Sequence, residues 1–267
     1  MSSNKLFTRL RDGEVVLGLC NMYPAPGIIE GMCGGWDFVW IDGQHGEMNY
    51  NAILHAMHAA GCTQLDTLVR VPGHDHSVLG PIADLSPSAI MVPMVDTAEQ
   101  AAHIVQGLHF PPKGNRSYGG RRVIDLHGRD YFREQEILVV AQVETLDAVK
   151  NAEAIINTDG IDALFFGPDD MKVRMGLPIN TAVNDSEQLQ EAMRTTAEAA
   201  KAAGKFAGCT GATPESLQVG IDLGYQIMIG GGDIGFMRVA SADKLKVLRE
   251  VLGKSASAAP KKGSEVY

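Results

Sequence analysis

A chain of 267 residues, 45% hydrophobic and 21% charged, with 30 glycines and 12 prolines spread along it, has the composition of a globular protein and excludes a disordered or fibrous one. Acidic residues outnumber basic ones, 32 to 23, and the formal net charge of -9 repels polyphosphate, so nucleic acid is not an expected partner. Length leaves one or two domains open, because α/β barrels of about 250 residues commonly form a single one.

The opening segment, Met1 to Asp12, carries Lys5, Arg9 and Arg11 and lacks the apolar stretch of a signal peptide, which points to the cytoplasm. No apolar window approaches the roughly 18 residues that cross a bilayer, so a membrane is not expected as a partner either. Cys20, Cys33, Cys62 and Cys209 lie far apart with no CxxC pair, and they read as reduced thiols.

Strands are predicted, in chain order, at Val15 to Cys20, Phe38 to Asp42, Thr67 to Val71, Ala89 to Val95, Ile137 to Val143, Ala163 to Phe166, Phe206 to Cys209 and Gln226 to Ile229. Helical periodicity marks Tyr50 to Ala60, Ala98 to His109, Leu146 to Ile156, Glu187 to Ala203 and Leu245 to Leu252. Strands that alternate with helices form a parallel sheet, because each return to the same end needs a crossover. Eight such units predict a closed TIM (β/α)8 barrel. An open doubly wound sheet is the rival, but the GxGxxG turn that often follows its first strand is missing. Residues 1–252 are expected to form one barrel domain and 253–267, with no apolar period, a flexible C-terminal tail.

Barrel active sites form where strands end, so polar residues closing each apolar run are the candidates. The second run ends in Asp42-Gly43-Gln44-His45, the third includes Arg70, the fifth leads through Gln142 to Glu144, and the sixth is followed by Gly167-Pro168-Asp169-Asp170. Neighbouring parallel strands lie about 4.8 Å apart, so Glu144 and Asp170 can reach one point. Carboxylates that close repel, and either one takes a proton or a hard divalent cation sits between them. The alternative is that each caps the helix that follows it. No Cys or His cluster has zinc-site spacing.

Asp42 and His45 share a short turn in which the carboxylate is expected to orient the imidazole and raise its pKa, as a general base requires. His55, His58, His74, His76, His103, His109 and His127 lack such an address and read as surface or core residues. Arg70 needs an anionic partner, either Asp42 or Glu144 in a structural pair or an oxyanion forming on a substrate. Gly230-Gly231-Gly232, placed after the eighth strand, makes either a phosphate cradle or a close turn. The stiff loop Phe110 to Ser117 is either a cover for the site mouth or a surface connection.

From about Phe7 to Leu252 this set resembles the class II pyruvate aldolases of the HpcH/HpaI family, in the pyruvate and phosphoenolpyruvate barrel superfamily. The motifs that carry the resemblance are Phe38-Val39-Trp40-Ile41-Asp42-Gly43-Gln44-His45, Met91 to Val95 followed by Thr97-Ala98-Glu99, Phe110 to Arg116, Gln142-Val143-Glu144-Thr145, and Phe166-Gly167-Pro168-Asp169-Asp170. It implies that Glu144 and Asp170 bind a divalent cation (Mg2+, Mn2+ or Co2+), and that Gln142 and the backbone from Gly167 through Pro168 to Asp169 hold a pyruvate carboxylate. His45 would be the base, Arg70 would stabilise the enolate oxygen, and Asp84, with Asp42 sharing the duty, would raise the basicity of the histidine. A hexamer in which the last helix swaps between barrels is implied as well. The chain departs from the family pattern at Gln44, where a glutamate is usual, at Asp169, where a small residue is common, and at Leu85 to Ser88, which lacks the usual Gly-Ala.

The expected reaction is the reversible retro-aldol cleavage of a 4-hydroxy-2-oxo acid to pyruvate and an aldehyde through a metal-bound enolate. A lysine Schiff base, the other route to an enolate, is not expected because no apolar run ends in Lys. The rival readings are another carbon-carbon lyase acting on a thioester or a phosphorylated substrate, a phosphate-binding barrel enzyme built on Gly230 to Gly232, and a binding protein without activity.

Overall fold

The computed structural model describes residues 4–253; the expected tail, apart from Gly253, lies outside the described residues. The first helix, α1 (Lys5–Arg11), precedes a repeat of strand and helix: β1 (Val16–Asn21) and α2 (Pro26–Met32), β2 (Phe38–Asp42) and α3 (Tyr50–Thr63), β3 (Asp66–Arg70) and α4 (His76–Ala83). There follow β4 (Ala89–Val92) with α5 (Ala98–Leu108) and α6 (Arg121–His127), then β5 (Leu138–Val143) with α7 (Leu146–Lys150) and α8 (Ala152–Asn157). Next come β6 (Ala163–Phe166), α9 (Pro168–Met175) and α10 (Glu187–Ala202), β7 (Phe206–Thr210), α11 (Pro214–Leu223), β8 (Ile227–Gly232) and α12 (Asp233–Val251). The strands pair in parallel and in sequence order, β1 through β8, and β8 closes on β1. This is the expected (β/α)8 barrel.

Successive strand side chains point to opposite faces, so each strand has an inner and an outer row. The inner rows of Val16 and Cys20, Phe38 and Trp40, Leu68, Ala89 and Met91, Leu138 and Val140, Ala163 and Phe165, and Ile227 and Ile229 pack into one core. Leu6, Phe7 and Leu10 of α1 join that core and close the end where the strands begin. Asn4 fixes this plug: its Oδ1 accepts from the N–H of Phe7, and its Nδ2 donates to the carbonyls of Ser88 and Glu136. The outer rows pack against the helices in a second cluster that includes Val39, Ile41, Val69, Ile90, Val139 and Ala141.

The last helix, 19 residues long, buries no apolar side chain. Of its residues only Asp233 is buried, while Met237, Val239, Leu245, Val247, Leu248 and Val251 are exposed. No helix among the described residues is long and apolar enough to cross a membrane.

Candidate functional site

Continuing each inner row by one step past its apolar members brings Asp42 after Trp40, Arg70 after Leu68, and Gln142 and then Glu144 after Val140 into the mouth where the strands end. With the first turn of α9 they line a cavity of about 350 Å3, which His45, Gly167, Pro168, Asp169 and Asp170 also face. Trp40, Phe165, Cys20 and Ile229 contribute its apolar part. Of the expected site residues, only Asp84 fails to reach it. Asp84 closes α4 on the side where strands begin, and its Oδ1 accepts from Arg116 Nη2 at 2.6 Å. Within one chain Asp84 therefore does not meet His45.

Arg70 and Asp42 are neighbours in the β2–β3 register. Arg70 Nε donates to Asp42 Oδ1 at 2.9 Å and Nη2 to Oδ2 at 2.6 Å, with both side chains buried. Burial raises the Asp42 carboxyl, but Arg70 and the backbone N–H groups of Gln44 and His45 outweigh it and hold the pKa below the usual carboxylate range. This corrects the expected contact between Asp42 and the imidazole. The carboxylate meets His45 only through its backbone N–H, at 3.2 Å, and the imidazole stands exposed at the rim. Side-on pairing leaves Arg70 Nη1 without a hydrogen-bond partner among the described residues, on a side chain that lines the cavity.

Glu144 is 1% exposed. Burial and the neighbouring charge of Asp170 push its pKa up to about 7, against the opposing pull of the Met94 N–H, Arg70 and Arg174. Its Oε2 accepts from the N–H of Met94 at 2.9 Å. Met94 holds φ at 56°, a left-handed backbone that an unbranched side chain adopts only at a cost, and this brings its N–H to the carboxylate. The capping alternative is not realised. Thr145, not Glu144, caps α7 by accepting from Ala148, and α9 has no side-chain cap at all. Asp170 stands in the first turn of α9, beyond the strand end.

Gly167 is required by close approach, since a Cβ there would lie 2.7 Å from Glu144 Cγ and 3.2 Å from Gln142 Nε2. The Gly167 N–H donates to Val143 and Pro168 has none, so backbone donation from this segment begins at Asp169 and Asp170, whose N–H groups are the open ones of a helix start. The Asp169 carboxylate pairs with Lys172 Nζ at 3.1 Å, which offsets the charge it adds beside the cavity. Gln142 is 3% exposed, and its Oε1 has no partner among the described residues.

Among the described residues no three His, Cys, Asp or Glu side chains are grouped to hold a metal ion. Two carboxylates beside an unpartnered amide oxygen nevertheless fit a hard divalent cation, which binds through one or two carboxylates and takes its other oxygens from water and ligand. They lack the Cys and His ligands of a structural zinc or soft-metal site.

Two open alternatives are decided as well. Gly230 to Gly232 are the last residues of β8 rather than a loop after it. The start of α12 beside them is already served by Asp233, fully buried, whose carboxylate accepts from the N–H groups of Met22, Tyr23 and Ile234, so a phosphate there would face a buried negative charge. The loop from Phe110 to Ser117 follows α5 on the side where strands begin, and Arg116 ties it to Asp84, so within one chain it is a surface connection and not a cover for this mouth. Sequence reasoning gave no role to Trp40, Met94 or Asp233. The inner-row period could have flagged Trp40, whereas the other two act through turn geometry that leaves no local signature.

Comparison with known proteins gives a consistent answer. Residues 28–231 match the family model described as HpcH/HpaI aldolase/citrate lyase. A 4-hydroxy-2-oxovalerate aldolase of Novosphingobium aromaticivorans is 35% identical over 92% of this chain and 95% of its own length. A hydroxypyruvate/pyruvate aldolase of Chromohalobacter salexigens is 32% identical over 78% of this chain and 83% of its own. Among solved structures, an HpcH/HpaI aldolase/citrate lyase family protein from Burkholderia cenocepacia superposes with a TM-score of 0.85 at 26% identity, covering 92% of this chain and 100% of that one.

Proposed function

The chain belongs to the HpcH/HpaI aldolase/citrate lyase family, and from that premise we propose that it cleaves a 4-hydroxy-2-oxo acid to pyruvate and an aldehyde, and runs the same reaction in reverse. It is a carbon-carbon lyase of the aldolase kind. A divalent cation held by Glu144 and Asp170 would supply Lewis acidity that draws electrons from the 2-oxo carbonyl. The protein groups do the rest. The N–H groups of Asp169 and Asp170 and Gln142 Nε2 donate to the substrate carboxylate. His45, at the open rim, takes the proton from the C4 hydroxyl as the C3–C4 electron pair passes into the enolate and the aldehyde leaves, and return of that proton to C3 gives pyruvate. Arg70, fixed by Asp42, directs its Nη1 edge at the oxygen on which the enolate charge develops, a permanent cation already in place before the charge appears.

The observation that carries this reading is the shared cavity. A like-charged carboxylate pair, a guanidinium with one unshared edge and an exposed imidazole face the same space. The test is to follow pyruvate release from 4-hydroxy-2-oxovalerate with added Mg2+, Mn2+ or Co2+ and after complete chelation. Turnover that stops on chelation and returns with cation is expected; undiminished turnover in the chelated protein would refute it.

The exposed apolar residues of α12, from Met237 to Val251, support a homo-oligomer in which this helix packs on another copy, and we propose a hexamer. Light scattering on the purified protein should give six chains per particle.

A further inference from the structure

We infer that Trp40 is a positioning residue that sets the plane of the Arg70 guanidinium; this rests on the aldolase reading of Arg70 above. Trp40 is 6% exposed and lies in the inner row of β2, between Cys20 of β1 and Leu68 of β3 in register. Its ring packs against Phe165 from across the barrel, with centroids 5.7 Å apart at 59°. The Arg70 guanidinium carbon sits 4.6 Å from the same indole's centroid, within the range at which a cation is held by a ring face. Trp40 is thus wedged between a fixed aromatic neighbour and the cation.

The two contacts of Arg70 act on different freedoms. Asp42 holds the edge that carries Nε and Nη2, which fixes the direction of the fork but allows its plane to tilt about that edge. A ring face against the guanidinium removes the tilt. With both in place, the remaining Nη1 edge has one orientation toward the cavity.

The indole N–H explains why the residue is read by its face rather than by its polar atom. Trp40 Nε1 is buried and has no hydrogen-bond partner among the described residues, a burden that phenylalanine would not carry. What tryptophan supplies over phenylalanine here is the more electron-rich face, the best of the aromatic side chains for a cation.

The test is steady-state kinetics of W40F, W40L, R70K and the W40L/R70K double variant on a 4-hydroxy-2-oxo acid, with saturating divalent cation throughout. W40L should lower kcat about tenfold (about 1.4 kcal/mol) and move KM less than twofold, because the guanidinium acts on charge that develops during the reaction. W40F keeps an aromatic face and should recover most of that loss, which also guards against misfolding of the leucine variant. In the R70K background, where no planar cation remains, W40L should cost less than twofold. A W40L loss of equal size in both backgrounds, or one that appears in KM instead of kcat, would overturn the positioning role. Should R70K itself leave kcat unchanged, it is the role assigned to Arg70 in the aldolase reading that fails.

Discussion

The two ends of the barrel differ in what they leave unsatisfied: where the strands end, Asp42 and Asp233 are paired as the carboxylates of the other end are, but Glu144 is set against a like charge. Where the strands begin, each buried or half-buried carboxylate closes a structural contact: Asp37 accepts from the Leu17 N–H and Arg9, Asp66 from Ser88 Oγ, Asp162 from the Val139 N–H, and Asp84 from Arg116. Where the strands end, Glu144 has one backbone donor and a like-charged neighbour, Gln142 has an unpartnered oxygen, and Arg70 keeps one edge unshared. Polar groups that satisfy one another hold a fold together, whereas polar groups left facing an open cavity are set for something that arrives from solution.

The largest effect that would sharpen this contrast is expected from Glu144→Ala or Asp170→Ala, each lowering kcat by about a thousandfold or more, as loss of a metal-held electrophile would. Asp37→Ala, at the other end, removes the acceptor of the Leu17 N–H and of Arg9 and should lower the melting temperature while kcat stays within about threefold, and equal losses at both ends would erase the distinction. Arg70→Gln follows, with kcat down by about a hundredfold to a thousandfold, the size of a lost oxyanion donor. Asp42→Asn should lower kcat less than that and also show up in urea denaturation, at about 3 kcal/mol, because it leaves a buried guanidinium poorly paired.

A pH dependence comes next. With Glu144 at about 7 in the folded protein against an ordinary 4.5, the chelated native state binds more protons than the unfolded state between those values. Stability of the chelated protein should therefore fall as pH rises from about 4.5 to 7 and level off above, by about 3 kcal/mol at most from this group. Glu144→Gln should remove that slope, and thermal melts of both proteins across the range would show it. The smallest effect belongs to the opposite end. Asn4→Ala should cost about 1–2 kcal/mol of stability through the lost cap and its two carbonyl contacts, with kcat unaffected.

The barrel was legible because alternation of apolar runs and helical periods survives every local irregularity. Phe38–Asp42 and Ala163–Phe166 match the predicted strands end for end. Other boundaries moved for physical reasons. β4 stops at Val92 because Pro93 has no N–H for the ladder and Met94 turns left-handed. β8 runs on through Gly232, where small residues let the chain pass close to Cys20 and Trp36. The helical segment from Leu146 to Ile156 is broken at Asn151, which ends α7 and starts α8. Short helices such as α4, which contains Pro81, carry too few turns to show a period.

The site was legible where a side chain continues an inner row, as Asp42, Arg70, Gln142 and Glu144 do. It was not legible where a residue acts through a fold-dependent partner. The Asp42 carboxylate could have served His45 or Arg70, and only the β2–β3 register decides for Arg70. Asp84 was attached to the site by resemblance and the loop from Phe110 to Ser117 was left open by its composition, and both follow helices that return to the other end.

Titration of Mn2+ into the wild-type chain, E144Q and D170N, followed by the loss of free-ion paramagnetic signal, tests the carboxylate pair most directly. One ion per chain in the wild type and at least a hundredfold weaker binding in either variant is the expected result. Undiminished binding in both variants would contradict a cation held jointly by Glu144 and Asp170.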